Sequence, residues 1–360
     1  MKKNFDYILF ISIIALTIFG IVMIYSASNI WAVYKFNDAF KYVKSQSIFF
    51  IIGIIMMIII SKINTNLYYK YSNHLLIGCI ILLILVLIPG VGIVRNGSRS
   101  WFGFGGFGVQ PSEATKLALI IFTSKYLSNN SKYISNIIKG VFPILFTCLF
   151  CFGLIMLQPD FGTGVITVMS IVALLFISGV KLKFFGIALV IGLIGAVILT
   201  ILAPYRLARI LSYLNPWSDP LGSGFQIIQS LFAIGPGGLL GMGFLNSIQK
   251  NFYLPEPQTD FIFSIISEEF GFMGVIIVVG LFLTIIYRCI KISLKSTSSF
   301  DKYLVYGIIF QISFQALLNL MVVVGLIPVT GVTLPFLSYG GSSLLITLCS
   351  MGIVLNISKK

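Results

Sequence analysis

Long apolar runs separated by short polar punctuation dominate the chain. Windows of about 20 residues place these runs near 7–26, 47–61, 75–89, 112–127, 141–157, 162–179, 184–203, 261–287, 303–327 and 341–357. A helix of about 20 residues is about 30 Å long and matches the hydrocarbon of a bilayer. The pattern predicts an all-α polytopic membrane protein of about ten transmembrane helices. Tilt, or polar residues facing a bundle cavity, reconciles the shorter segments with bilayer thickness. The longest interruption, 204–260, falls between spans seven and eight and is too hydrophobic and aromatic for a disordered linker. Pro204, Pro216, Pro220, Pro236, Pro255 and Pro257 punctuate it into turns, together with Gly222, Gly224, Gly235, Gly237 and Gly238. It is predicted to be a folded outer loop with short helices, within one domain covering 1–360.

Composition agrees, at 58% hydrophobic, 9% charged and a mean hydropathy of +1.04. So few charges cannot cover that apolar surface in water. The net charge of +14 comes from short basic clusters between runs, with no continuous stripe. These are topological anchors, and nucleic acid is excluded as a partner. Cys79, Cys148, Cys151, Cys289 and Cys349 lie in or beside apolar runs, and His74 has no partner at metal-ligand spacing, which argues against disulfide and zinc frameworks. Tyr7 to Tyr25 is too long for a signal h-region and reads as an uncleaved first span.

An even number of spans puts both termini on one side, and Lys2-Lys3 and Lys359-Lys360 assign that side to the cytoplasm. Lys62, Lys70, Lys125, Lys132, Lys139, Lys181, Lys183, Arg288, Lys291, Lys295 and Lys302 then fall inside, while Lys35, Lys41 and Lys44 oppose the rule. Only Asp6 and Asp301 among the acids are clearly inside. Asp38, Glu113, Asp160, Asp219, Glu256, Asp260, Glu268 and Glu269 gather at or near the outer face. Acids contribute little to orientation, so their one-sidedness points to a site that opens outward.

Four segments carry candidate chemistry. In the first, Asn96 to Glu113, glycines alternate with Trp101, Phe102, Phe104 and Phe107. No βαβ pattern surrounds them, so a segment at headgroup level is expected and a dinucleotide loop is not. Pro111 and Ser112 can open a helix that sets Glu113 and Lys116 on one face, as site groups or as a structural ion pair. The second segment, Gln158-Pro-Asp-Phe-Gly-Thr-Gly164, puts Asp160 between two spans as a helix cap or a site group. In the third, Tyr205 to Gly274, Arg206 and Arg209 share a helix face and suit phosphate oxygens or interfacial snorkelling. There Asp260 enters an apolar span directly after Pro255-Glu-Pro257. Partial burial would raise its pKa and suit a general base, with Lys250 or the arginines pulling the other way; capping is the alternative. The fourth, Gly325 to Ser343, is uncharged and rich in Gly, Pro and hydroxyls. Irregular backbone at membrane depth must line a cavity or pack inside protein.

Together these segments resemble the SEDS family of bacterial envelope proteins, the RodA, FtsW and SpoVE group. The runs Asn215-Pro-Trp-Ser-Asp-Pro-Leu-Gly-Ser-Gly-Phe-Gln226, Leu254-Pro-Glu-Pro-Gln-Thr-Asp-Phe-Ile-Phe263 and Leu334-Pro-Phe-Leu-Ser-Tyr-Gly-Gly-Ser-Ser343 carry it. Thr333 before Leu334-Pro335, and Gly97-Ser-Arg-Ser-Trp101, look most similar to the SpoVE-like members of the division and sporulation branch. Ala114-Thr115 departs from the residues usual between the Glu and Lys positions, a difference that bears on local packing. The resemblance implies a peptidoglycan glycosyltransferase that polymerises lipid II outside the membrane beside a class B penicillin-binding transpeptidase. By motif it implies that Asp260 is the essential aspartate and that Trp101, Glu113, Lys116 and Asp160 are functionally sensitive. Arg206, Arg209 and Lys250 are added on chemical grounds.

Joining two disaccharide units needs a base for the acceptor 4-hydroxyl and cations for the departing pyrophosphate. Asp260 is expected to be that base or to hold a divalent cation, Mg or Mn. Lys116, Arg206, Arg209 and Lys250 are expected to stabilise the pyrophosphate, and a single displacement inverts the anomeric carbon. A lipid II flippase would place charges near mid-bilayer in repeated halves, and no repeat is seen. A non-catalytic scaffold recruiting a transpeptidase is the third reading. It predicts tolerance of charge-neutral changes at Asp260.

Overall fold

The structure is a computed structural model and describes residues 5–95, 97–104, 107–134, 136–201 and 204–360. The helices are α1 (Tyr7–Phe36), α2 (Lys41–Ile60), α3 (Thr65–Leu87), α4 (Pro111–Asn129), α5 (Phe142–Met156), α6 (Phe161–Ile177), α7 (Leu182–Ile201), α8 (Pro204–Leu214), α9 (Phe225–Ile234), α10 (Ile262–Lys295), α11 (Ser299–Val323) and α12 (Gly341–Ser358). Each of the ten predicted apolar segments falls on its own helix. Seven stretches among the described residues are long and apolar enough to cross a membrane: α1, α2, α3, Ile137–Met156, α10, α11 and α12. Phe161–Ile177 and Leu182–Ile198, in α6 and α7, are shorter apolar helical stretches. α4 is less apolar because it packs against α3, α6 and α11, with Ser112, Glu113, Thr115, Lys116, Thr123 and Ser124 buried there instead of facing lipid.

Contacts gather both termini at one end of the bundle. Asp6 caps α1 through the Leu9 amide and pairs with Arg288 on α10 at 2.7 Å. Lys359 reaches the Ser61 carbonyl at 3.0 Å, and Lys360 pairs with Asp301 at 2.7 Å. The connections after α2, α5's predecessor and α10 share this end, where Lys125 covers the Tyr69 ring and Tyr69 packs on Phe300. The opposite end carries the irregular segments.

One of those segments is the glycine and aromatic run, whose local structure the sequence did not indicate. It is a small antiparallel sheet, β1 (Ile93–Arg95), β2 (Ser98–Phe104) and β3 (Phe107–Val109), in an otherwise helical chain. Trp101 lies under the Arg95 guanidinium, 5.1 Å from the ring centroid. Gly108 lies close against both, and any side chain there would collide with them. Glycine therefore marks close approach of sheet backbone to a stacked pair.

α10 is split at Gly271, which adopts φ 57° and ψ −154°. A continuous helix would bond the amides of Phe272 and Met273 to the carbonyls of Glu268 and Glu269. Instead the chain between α9 and α10 fills the gap. Phe272 and Met273 donate to the carbonyls of Gly238 and Leu239 at 2.9 and 3.1 Å, while Glu268 and Glu269 carbonyls accept from Met242 and Gly243 at 2.9 and 3.0 Å. Two lost helix bonds become four bonds to an inserted loop. Gly237, Gly241 and Gly271 are needed because a side chain on any of them would strike backbone of the facing segment. Gly241 also has φ 79°, which L side chains rarely adopt. Gly241→Ala is expected to lose at least about 2 kcal/mol of stability. Thermal unfolding in nanodiscs, compared with Gly280→Ala, where a side chain meets open space, measures it.

Candidate active site

Asp260 sits in the turn that leads into α10. The residue before the helix is Phe261, and no side chain caps the helix start, so the capping alternative does not describe Asp260. Its carboxylate has no hydrogen-bond partner among the described residues. Burial pushes its pKa up to about 6; nearby Glu256 adds to this, the Arg209 guanidinium opposes it, and Asp160 adds a smaller increment. The side chain is only partly buried and rests toward the Gly331 turn. A Cβ on Gly331 would lie 3.7 Å from Asp260 Oδ2.

The turn is tied on both sides. Asn319 of α11 donates to the Asp260 carbonyl at 2.7 Å and to the Val332 carbonyl at 2.8 Å. Tyr339 donates its amide to the Gln258 carbonyl at 2.8 Å. The segment 324–340 is irregular throughout, yet Val332, Leu334, Phe336, Leu337 and Ser338 are buried. Gln46 of α2 holds it from below through the Ser338 carbonyl at 3.1 Å and the Gly340 amide at 3.2 Å. It packs inside the protein, as backbone at membrane depth must.

Asp160 caps α6, accepting from the Thr163 amide at 3.2 Å, and its other oxygen accepts from Gln110 at 2.8 Å. Burial raises its carboxyl above the ordinary value, and the Thr163 interactions pull the other way. Glu113 and Lys116 form a buried pair at 3.0 Å, and Lys116 also donates to Gln315 at 3.0 Å. Gln315 in turn donates to the Thr333 carbonyl at 3.0 Å. From α8, Arg209 donates to the Val329 carbonyl at 3.1 Å, and Tyr213 to the Leu326 carbonyl at 2.9 Å. Leu207, Leu211 and Leu214 form the exposed apolar face of that helix. Arg209, Ser212, Ser223, Gln226, Pro255 and Val329 help line a cavity of about 370 Å³ beside this turn.

The family model described as cell cycle protein, FtsW/RodA/SpoVE, matches residues 6–360. The chain belongs to the FtsW/RodA/SpoVE family. It is 50% identical to stage V sporulation protein E of Bacillus subtilis, over 99% of this chain and 98% of that one. It is 39% identical to a probable peptidoglycan glycosyltransferase FtsW of Geobacter sp., over 99% and 98%. A chain solved in a peptidoglycan synthase complex, in work on the structural coordination of polymerization and crosslinking, superposes with TM-score 0.81 at 31% identity, covering 99% and 98%. The rod shape determining protein RodA of Thermus thermophilus gives TM-score 0.73 at 27% identity, covering 99% and 97%.

In this FtsW/RodA/SpoVE chain, the residues singled out in the sequence divide into two groups. Asp260, Asp160, Glu113, Lys116 and Arg209 surround the 324–340 segment at one end of the bundle. Trp101 stands on the neighbouring sheet, which reaches them where Ser98 donates to the Gln158 carbonyl. Arg206 lies on α8, and its side chain is outside the described residues. Lys250 belongs elsewhere. It is buried on Glu269 at 3.1 Å and donates to the Leu245 carbonyl at 2.6 Å and Ser26 at 3.3 Å. Glu269 lies nine residues beyond Asp260, roughly 13 Å along the helix. Glu268 beside it is held by Ser247 at 2.5 Å and the Ile248 amide at 2.8 Å. Gln110, Gln315 and Asn319 are site residues that sequence reasoning missed. Gln311, Gln315 and Asn319 recur every four residues in an apolar helix, and that stripe was the available signal.

Two outcomes test this geometry. Glu113→Gln or Lys116→Met alone is expected to cost about 3–5 kcal/mol of stability, and the double variant much less, because each single change strands a buried charge. Thermal unfolding measures this, and a double variant that regains stability but not activity assigns Lys116 a role beyond the ion pair. For Asp260, folding binds the proton more tightly than the unfolded chain does. Stability therefore falls as pH rises from about 4 through about 6, by up to about 3 kcal/mol. Asp260→Asn is expected to be more heat-stable than wild type at neutral pH, with the gap closing below about pH 4.

Proposed function

We propose that this protein is a peptidoglycan glycosyltransferase that polymerises lipid II into glycan strands on the outer face of the cytoplasmic membrane, in sporulation or division. The observation that carries the reading is the Asp260 carboxylate: not a helix cap, without a hydrogen-bond partner among the described residues, partly exposed, and held near pKa 6 beside the Arg209 guanidinium. Such a group is ionised at neutral pH and still basic enough to accept a proton. The relatives named as glycosyltransferases, and the likeness to a chain of a peptidoglycan synthase complex, support it.

In the proposed reaction the acceptor sugar's 4-hydroxyl attacks the donor's anomeric carbon and gives its proton to Asp260. A carbon–oxygen bond forms there while the bond to the lipid pyrophosphate breaks, and the pyrophosphate departs with the electron pair. Attack opposite the leaving group inverts the anomeric centre. Arg209 stabilises the departing charge from the cavity side, and Arg206, whose side chain is outside the described residues, is proposed to assist on chemical grounds alone. Lys116 acts from behind, through its field on Asp160 and the site, because its ammonium is bonded to Glu113 and Gln315. Lys250, held by Glu269, takes no part in this step.

A divalent ion, Mg or Mn, fits only with help from substrate. No group of three His, Cys, Asp or Glu side chains that could hold a metal occurs among the described residues. Asp260 and Asp160 lie within electrostatic reach of each other, and one or two carboxylates plus phosphate oxygens are the usual Mg donors. There such an ion would neutralise pyrophosphate charge.

The basic residues at the end shared by the termini support a cytoplasmic location for that end and an extracytoplasmic one for Asp260. A class B penicillin-binding transpeptidase is the proposed partner, and membrane lipid surrounds the helices. The break in α10 is the feature a flippase would use. Its free backbone groups are taken up by the inserted loop, which favours the enzyme.

The decisive assay follows glycan chains made from lipid II by purified protein with its cognate transpeptidase in detergent. Asp260→Asn is expected to lose about 100-fold or more, and the wild-type rate to rise with pH through about 6 as the base deprotonates. Normal polymerisation by Asp260→Asn, or labelling of residue 260 only from the cytoplasm, overturns the reading.

A further inference from the structure

Amides inside an apolar helix are costly unless their hydrogen bonds are taken up. Asn319 spends both amide protons on backbone carbonyls of two segments that meet only in the folded chain, Asp260 at 2.7 Å and Val332 at 2.8 Å. Both partners are acceptors, so the nitrogen must face them and the amide cannot be flipped. Asn319 is 1% exposed, and its Oδ1 has no hydrogen-bond partner among the described residues. The side chain is thus oriented entirely by the two carbonyls it serves. Val332 directly follows Gly331, the turn against which the Asp260 carboxylate rests. A single amide therefore fixes both the backbone that carries the carboxylate and the surface that meets it.

One turn earlier Gln315 plays the matching part for Lys116, accepting from the ammonium and donating to the Thr333 carbonyl, each at 3.0 Å. Gln315 makes no hydrogen bond to Asp260 among the described residues. The two amides thus separate by target, which makes one a control for the other.

We propose that Asn319 is a positioning residue for glycosyl transfer, clamping the Asp260 turn to the Gly331 turn so that the carboxylate keeps one place beneath the acceptor hydroxyl. The proposal rests on the reading of Asp260 as the base. Leucine has nearly the shape of asparagine and would satisfy a packing role, but it cannot donate to the two carbonyls. Aspartate has the same shape and would set an acceptor against two acceptors.

The test measures lipid II polymerisation by the full chain with its transpeptidase, against substrate concentration and between about pH 5 and pH 8.5. Asn319→Leu and Asn319→Asp are each expected to lower kcat about 10- to 100-fold with KM within about twofold, because a displacement of about an ångström costs that much. The acid limb, near pH 6 in wild type, is expected to move down in Asn319→Leu. A loosened carboxylate gains water while Glu256, Arg209 and Asp160 still face it. Gln315→Met is expected to leave the limb in place. Wild-type kcat in Asn319→Leu overturns the proposal, and so does a lowered kcat with an unmoved limb, since a smaller fraction of active protein, with Asp260 held as in wild type, produces that. Should Asn319→Leu not yield monodisperse protein, Asn319→Ser, which keeps one donor, is expected to show the same changes at smaller size, and wild-type behaviour there overturns the proposal equally. Asp260→Asn, assayed alongside, separates the two ideas: its activity bears on the base, whatever Asn319 does.

Discussion

Backbone polar groups away from water must find partners, and the site is built on how this chain meets that demand where its helices stop. At Gly271 the demand is met by threading residues 237–243 into the broken ladder of α10. The short helical segment between Asp260 and the break is thereby pinned at its far end. At its near end the Asp260 turn is pinned by Asn319 and by the Tyr339 amide on Gln258. The carboxylate, which has no hydrogen-bond partner among the described residues, is thus carried on backbone held at both ends.

Charge is distributed by the same logic. Glu113 and Lys116, and Glu269 and Lys250, are buried pairs in which Lys116, Lys250 and Glu269 Oε1 make further hydrogen bonds, and such bonds help offset the cost of burying ions. Each joins segments distant in sequence: α4 to α11 through Gln315, and α1 to the α10 break through Ser26. Asp260 differs from these acids in being only partly buried, with no hydrogen-bond partner for its carboxylate among the described residues.

The helices were legible because a run of about 20 apolar residues has few structural options in lipid. The site was legible where chemistry is local, as with Asp160 before a helix start or Glu113 and Lys116 on one face. Three things were not. The sheet at 93–109 was hidden because glycine removes the side-chain alternation that marks a strand. Lys250 looked like a cation near Asp260 by position in its loop, but its partner lies in α10 beyond the turn, and pairing at that distance is a tertiary fact. The break at Gly271 was masked because Phe270-Gly-Phe-Met-Gly274 reads as ordinary apolar helix, and the loop that opens it lies some thirty residues upstream.

The split in α10 also sets what the loop before it can be. The amides of Phe272 and Met273 and the carbonyls of Glu268 and Glu269 are served by residues 238–243, which lie earlier in the chain. An insertion or deletion in that stretch would strand four backbone groups away from water. The length of the loop is therefore dictated by the helix it enters.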